Sequence, residues 1–215
     1  MTRPPGLWRV AQIVIGSLLF ITLLIVGIGA LLPHDWQVEE SILINAPAGS
    51  VHAWVNDLRR WPRWAQWNQA ELWPRNVVSE PSVGPGASLR WYGRGRSGEN
   101  LATGETRIVR SDPHSGVWFE SRTAGGAPSE ASVRYEERPG VTLVTWQDHG
   151  HLPPVIGGLF LDLFQKRLHD HMSAGLERLK DLVEANPAGA DSAPAGSAPA
   201  ELLPAEVRPA QVRAE

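Results

Sequence analysis

The seven histidines are the side chains of this sequence best suited to binding a metal ion or moving a proton near neutral pH. His149 and His151 are two residues apart, so both imidazoles face one side if that segment is a strand. His169 and His171 have the same spacing in a helical pattern, where positions i and i+2 point apart. No HExxH motif accompanies them, and the chain contains no cysteine. We therefore expect solvated histidines and neither a metal site nor a metal cofactor.

Carboxylates are the second group that could do chemistry. Four of them lie on or near predicted strands: Glu99, Glu105, Glu120 and Asp148. No nucleophile elbow, phosphate loop or dinucleotide motif accompanies them. The segment "GRGRSGEN" at 93–100 lies between strands, without a following helix whose N-terminus could hold a phosphate. We expect each carboxylate on the outer face of a sheet, and we identify no catalytic residue and no organic cofactor.

Tryptophan is unusually frequent and closely spaced. The chain has ten, and four of them lie in "RRWPRWAQWNQAELW" at residues 59–73. Trp61, Trp64 and Trp67 are three residues apart, which spreads them over about 120° of one helical face. A net charge of −3 and a pI of about 6.2 argue against a nucleic-acid partner, because single-strand binders add a positive groove to their aromatic side chains. These indoles could wall an apolar pocket, fill a core or lie in a membrane interface.

Residues 10–32 form an uncharged apolar segment, "VAQIVIGSLLFITLLIVGIGALL". As a helix it would cover about 34 Å, enough to cross a hydrocarbon core with some tilt. A signal peptide is the alternative, with a weak cleavage site at Gly27-Ile28-Gly29, but its apolar region is normally shorter. Trp8 and Trp36 bracket the segment as interface anchors would. The sequence therefore predicts an uncleaved transmembrane helix that anchors the protein in a membrane.

The charges beside this segment predict its orientation. Arg3 and Arg9 precede it, whereas Asp35, Glu39 and Glu40 follow it. Because positively charged flanks stay inside, we expect residues 1–9 in the cytoplasm and the main domain on the extracytoplasmic side.

The other end of the chain, residues 186–215, is rich in alanine and proline and has no aromatic residue. Repeated proline breaks helices, and the apolar surface is too small to offset the entropy of ordering. We expect a disordered tail there and a folded domain at 36–185.

The domain alternates between strand and helix patterns. A strand at 37–45 places Val38, Ile42 and Ile44 on one face, and helical patterns follow at 46–58 and around Pro62. Several alternating strands come next, of which the last two join at a Pro139-Gly140 turn, with either Leu143 or Val144 and Trp146 facing inward. A long helix with an apolar stripe from Leu161 to Val183 closes the domain. This order predicts an α+β domain with an antiparallel meander.

The same order resembles the SRPBCC superfamily, in particular its START-like and polyketide cyclase/dehydrase branches. The resemblance covers about residues 37–185 and is carried by "APAGSVHAWVNDLRRWPRWAQWN", "VGPGASLRWYG", "GVTLVTWQDHG" and "GLERLKDLVE". It implies a helix-grip fold, in which a curved antiparallel sheet wraps around the C-terminal helix and encloses a hydrophobic cavity. The transmembrane helix and the tail are not part of the family's core pattern.

Together with the predicted transmembrane helix, this resemblance implies that the protein is a membrane-anchored binding module for a hydrophobic small molecule or lipid, with no catalysis required. A cyclase or aromatase acting on an apolar substrate in the same cavity is the first alternative, and an envelope protein that uses the fold for protein contacts is the second. An enzyme would aim a titratable group with a shifted pKa into the cavity. The expected ligand-binding residues are Trp64, Trp67, Trp91, Phe119 and Trp146. The oligomeric state does not follow from the sequence.

Overall fold

A computed structural model describes residues 6–65, 75–94, 100–123 and 127–186. Trp67 and the expected tail beyond residue 186 lie outside these ranges. Within these ranges four helices and seven strands follow one another in this order: α1 Leu7–Leu31, β1 Asp35–Ile44, α2 Ala48–Val55, α3 Trp61–Trp64, β2 Arg75–Val78, β3 Ser88–Arg94, β4 Asn100–Asp112, β5 Gly116–Thr123, β6 Ser129–Arg138, β7 Val141–His151 and α4 Ile156–Ala185.

The strands form one antiparallel sheet in the order β1-β7-β6-β5-β4-β3-β2, with α4 packed against β1 and α2 against β5 and β6. This is a helix-grip fold preceded by an apolar helix, and the predicted fold class is confirmed. β2 has no counterpart among the predicted strands, because its four residues are too few to show an alternating pattern. The register shifts between Trp91 and Tyr92 and between Ile108 and Arg110 interrupt the pairing of β4 with its neighbours.

Alternate residues of each strand form the inner face of the sheet, as the sequence predicted. Val38 and Ile44 of β1 are buried, and so are Val144 and Trp146 of β7, which decides against Leu143 as the inward residue. The turn at 139–140 joins β6 to β7, with Gly140 at a φ of 80°. Inward side chains alternate in this way because successive residues of a strand point to opposite faces.

A cluster of aromatic side chains fastens the short helix α3 to the sheet and to α4. Trp61 meets Phe119 of β5 at 4.9 Å and Trp64 at 5.6 Å, and Trp64 meets Trp146 of β7 at 5.5 Å, always edge to face. Trp61 also donates an indole hydrogen bond of 2.7 Å to the carbonyl of Val55. Edge-to-face pairs add to the stabilisation that burial of the rings provides. Part of the tryptophan-rich stretch therefore serves as core.

The stripe of the C-terminal helix faces the sheet along its whole length. Its most deeply buried residues are Met172, Leu176, Leu179 and Val183. Leu161, Phe164 and Leu168, nearer the start of α4, are less completely covered. The core is therefore densest around the second half of α4 and looser around the first half.

The first helix is exposed along most of its length. Trp8–Leu31 has a mean hydropathy of 2.7 and is long and apolar enough to cross a membrane, a test that a signal sequence near the N-terminus also passes. Trp8 is 75% exposed, whereas Trp36 is 7% exposed on the inner face of β1. The expectation that both tryptophans are interface anchors therefore needs correction for Trp36. It belongs to the sheet because β1 begins at Asp35, one residue earlier.

The outer face of the sheet carries paired charges. Glu105 lies 3.3 Å from Arg90 and 3.6 Å from Arg107, and Glu120 lies 3.9 Å from Arg122. These are surface ion pairs of small energetic effect. The prediction that Glu105 and Glu120 face outward is confirmed.

Candidate functional site

A cavity of about 490 Å³ lies between the sheet and the first half of α4. Its walls are mostly apolar, with the indoles of Trp36 and Trp91, the ring of Phe164 and the side chains of Leu152 and Leu168. Pro153 and Arg167 are exposed on one side of the cavity, and Thr123 on another. The size and the lining are those of a pocket for a small apolar molecule.

Two glycines allow the wall tryptophans to lie close against neighbouring strands. A Cβ at Gly150 would be 2.8 Å from the Trp36 ring, and a Cβ at Gly104 would be 2.2 Å from the Trp91 ring. Trp36 also packs edge to face on Phe164, with ring centroids 5.1 Å apart. Without a side chain beneath them, both indoles are held against the sheet and leave the space in front of them open.

Asp148 lines this cavity although its side chain is only 3% exposed. In the sheet it stands between Val38 of β1 and Ala131 of β6, both apolar. Its Oδ1 has no hydrogen-bond partner among the residues that the structure describes. Burial raises the pKa of Asp148 to about 7, against the smaller opposite influence of the His149 amide and the Ser129 hydroxyl. Below pH 7 the carboxyl is mostly neutral and can donate a hydrogen bond into the cavity.

His171 lines the cavity from α4. Its ring lies 6.1 Å from that of Trp146 at an angle of 65°. Burial, with a smaller contribution from the charge of Arg178, lowers the pKa of His171 to about 4. Between pH 4 and pH 7 both Asp148 and His171 are therefore mostly uncharged. The cavity interior then suits a neutral molecule with at least one polar atom.

The structure brings only some of the predicted ligand-binding residues to this cavity. Trp91 is one of its walls. Trp64, Phe119 and Trp146 are at most 1% exposed and form the aromatic cluster of the core, although Trp146 supports the wall by contacting His171. Trp67 lies outside the described residues. A role of these five residues in ligand binding stays a prediction.

Asp148, His171 and Trp36 are among the wall residues that the sequence analysis did not assign to the cavity. Asp148 was expected on the outer face, yet it follows Trp146 by two residues on the same strand, so the two side chains must share a face. Trp36 has the same relation to Val38 on β1. The sequence alone could have placed Asp148 and Trp36 on the inner face, because strand residues two positions apart share a face. The orientation of His171 depends on how α4 is rotated against the sheet.

His149 and His151 lie on the same side of β7, as predicted, and the histidines contact different carboxylates. His149 is 3.7 Å from Glu130 at the surface, His151 pairs with Asp35, and His169 pairs with Glu40. Across the described ranges, no group of three or more histidine, aspartate or glutamate side chains is arranged to hold a metal ion.

Comparisons with known proteins give a family match for this domain and solved structures that share its fold. Residues 35–184 match the family described as polyketide cyclase / dehydrase and lipid transport. No curated protein sequence matches the chain at a significant level.

Solved structures share the fold at low sequence identity. The di-domain ARO/CYC BexL from the BE-7585A biosynthetic pathway is 22% identical, with a TM-score of 0.52 over 71% of this chain and 51% of its own. StfQ, the di-domain ARO/CYC from the steffimycin biosynthetic pathway, is 11% identical, with a TM-score of 0.55 over the same shares. TTHA0849 from Thermus thermophilus is 20% identical, with a TM-score of 0.52 over 70% of this chain and 98% of its own. The chain thus spans about half the length of the two di-domain proteins.

Proposed function

Because the chain belongs to the polyketide cyclase/dehydrase and lipid transport family, we propose that it binds a hydrophobic small molecule or lipid in the cavity between the sheet and α4. The main observation in support of this proposal is the cavity itself. Its volume of about 490 Å³ falls within the usual range for small-molecule sites, and its walls are mostly apolar. The ligand is neutral or has a neutral buried part, since Asp148 and His171 are both mostly uncharged between pH 4 and pH 7.

Filling the cavity from β5 tests the proposal. Ser121 faces the cavity, and its hydroxyl lies 2.8 Å from that of Thr106. Ser121→Trp places an indole in the ligand's space, so the affinity for an apolar fluorescent probe such as cis-parinaric acid is expected to fall by about tenfold or more. Glu120→Trp introduces the same side chain on the opposite face of the strand and serves as the control.

The control variant should bind the probe within about twofold of the unaltered protein. Thermal unfolding of both variants reports whether the fold persists. Equal affinity in Ser121→Trp, with a melting transition like that of the control, would place the ligand elsewhere and contradict the proposal.

The second part of the proposal is that α1 spans a membrane, with residues 1–9 in the cytoplasm and the domain on the extracytoplasmic side. Support comes from the length, the hydropathy of 2.7 and the exposure of the helix. The positive charges before it and the negative charges after it favour this orientation. An anchored domain of this kind would act on molecules carried by the membrane.

We expect a C-terminal alkaline phosphatase fusion of the full chain to be active and a cytoplasmic reporter fusion to be silent, because phosphatase folds only outside the cytoplasm. The mature protein should retain residue 1 or its immediate neighbours in mass spectrometry. A mature chain beginning near Ala30 would identify a cleaved signal peptide instead, and an active cytoplasmic reporter would reverse the topology.

A cyclase or aromatase acting in the same cavity is the second candidate, and Asp148 favours it. A carboxyl with a pKa of about 7 can both give and take a proton near neutral pH. Liquid chromatography with mass spectrometry of a candidate polyketide before and after incubation separates the two functions: a binding module returns the molecule unchanged, whereas ring closure changes its retention time even when no water is lost. Loss of conversion but not of binding in Asp148→Asn would favour the enzyme.

A further inference from the structure

The start of α4 exposes an apolar strip that the core does not use. Leu159, Phe160 and Leu163 are 43%, 56% and 52% exposed. At about 100° per residue these three positions fall within one third of the helix circumference. Phe164 and Leu168 of the same helix face the cavity. The first turns of α4 are thus apolar both toward the cavity and toward solvent, which a helix of a soluble domain normally avoids.

The start of α4, the part of the helix that carries this strip, lies beside the end of α1. A Cβ at Gly29 would be only 2.3 Å from the carbonyl oxygen of Val155, the residue before α4. A Cβ at Gly158 would be 2.7 Å from the side chain of Leu32. Gly29 lies about 3 Å before the end of α1 at 1.5 Å per residue. If α1 crosses a membrane, the start of α4 therefore lies at the depth where the span leaves the hydrocarbon.

The basic residues that follow the strip on α4 also fit a position at the surface of a membrane. Lys166 and Arg167 come on the same side of α4 one turn after Leu163, and both are exposed. Asp162 lies at the edge of the strip and Asp170 one turn beyond the two cations. Basic side chains one turn beyond an inserted apolar strip would lie at the level of the headgroups, where lysine and arginine meet anionic lipids.

The strip and the cavity share a border. Arg167 lines the cavity, is exposed, and lies one turn of α4 after Leu163 on the side of the helix that carries the strip. A surface that touches Leu159, Phe160 and Leu163 would therefore also touch this side of the cavity.

We propose that Leu159, Phe160 and Leu163 insert into the surface of a lipid bilayer, with Lys166 and Arg167 at its anionic headgroups, so that the ligand enters the cavity from the membrane. The entry of ligand rests on the proposed binding function, and the contact with the bilayer rests on the proposed membrane span of α1. A second copy of the chain covering the strip is the competing occupant.

The absence of cysteine from the chain allows a direct test of the contact. Phe160→Cys and Leu163→Cys, each labelled with an NBD fluorophore in the full chain, are reconstituted in vesicles of phosphatidylcholine and phosphatidylglycerol. We expect blue-shifted emission and quenching by lipids that carry a spin label near the headgroup. Val109→Cys, 46% exposed on β4 of the sheet, is the matched control and should show neither effect.

Two results would overturn the contact with the bilayer. One is quenching at position 160 no greater than at position 109. The other is blue-shifted emission that lipid spin labels do not quench and that disappears as the protein is diluted in lipid, which identifies a second copy as the occupant.

Ligand entry is tested with the double variant F160E/L163E, compared with V83E, whose site is an exposed valine in the segment before β3. Transfer of cis-parinaric acid from vesicles to the protein should slow by about tenfold or more in the double variant, with an equilibrium affinity within about twofold. An unchanged transfer rate overturns entry from the membrane. If the unaltered protein binds no probe at all, the proposed function fails while the spin-label result still decides the contact.

Discussion

Trp64→Ala is expected to lower the free energy of unfolding by about 3–5 kcal/mol, the usual cost of truncating a fully buried tryptophan. Its side chain is 0% exposed and packs between the rings of Trp61 and Trp146. The carbonyl of Trp64 also lies 3.4 Å from the position a Cβ would take at Gly175, so α4 leaves little room to close the space. The measurement is the urea midpoint of the full chain in detergent, provided that the slope of the transition stays unchanged.

Trp118→Ala is the matched control, because Trp118 lies on the outer face of β5 beneath the guanidinium of Arg110, 3.9 Å from the ring centroid. Its loss should cost about 1 kcal/mol, the size of an exposed cation–π contact. The affinity for the apolar probe is measured on both variants. A small loss of stability together with weaker binding in Trp64→Ala would show that Trp64 walls the ligand site and does not serve as core.

The faces of the strands follow from the sequence because the alternation of side chains in a strand is a property of the backbone. Val117 and Phe119 are buried and Glu120 points outward, as their order in the chain requires. The stripe from Leu161 to Val183 likewise determines which side of α4 meets the sheet. These inward faces and the α+β antiparallel meander could therefore be predicted from periodicity, whereas the helix-grip arrangement was implied by the resemblance to the SRPBCC superfamily.

The position of the cavity depends on volume, which periodicity does not report. Helix α3 fills one end of the inner face with Trp61 and Trp64, against Phe119 and Trp146. At the other end the inward residues of β5 to β7 are small, for example Ser121, Ser129 and Gly150. The tryptophan-rich stretch led to a predicted site at the filled end of the inner face, whereas the cavity lies at the end where the inward residues are small.

The stability of the protein between pH 4 and pH 7 should contain two opposing contributions from the cavity. The pKa of Asp148 is about 7 when folded against a usual 3.8, so the folded state holds an extra proton and stability falls as pH rises through this window. The pKa of His171 is about 4 against a usual 6.5, so the unfolded state holds an extra proton and stability falls as pH drops from 6.5 to 4. In the unaltered protein the two slopes largely cancel below pH 6.5.

Removing either side chain should make the pH dependence contributed by the other visible in the free energy of unfolding. Relative to the unaltered protein, we expect the stability of Asp148→Asn to rise by up to about 4 kcal/mol between pH 4 and pH 7, because the Asp148 contribution is lost. Relative to the unaltered protein, the stability of His171→Gln should fall by up to about 3 kcal/mol between pH 4 and pH 6.5, because the His171 contribution is lost. The measurement is the urea-derived free energy of unfolding at half-unit pH steps, taken for each variant as the difference from the unaltered protein.

The same substitutions at surface positions serve as controls. They show whether a change in the pH profile of stability comes from the cavity residues or from the loss of any carboxylate or imidazole. Asp170→Asn removes an exposed carboxylate of α4, and His149→Gln removes a half-exposed imidazole of β7. Both should leave the pH profile close to that of the unaltered protein, since exposed charges are well screened. The double variant D148N/H171Q should restore a flat difference profile across this window. If Asp148→Asn follows the unaltered profile, then the Asp148 carboxyl is already ionised at pH 5, and the cavity presents a negative charge to its ligand and no neutral hydrogen-bond donor.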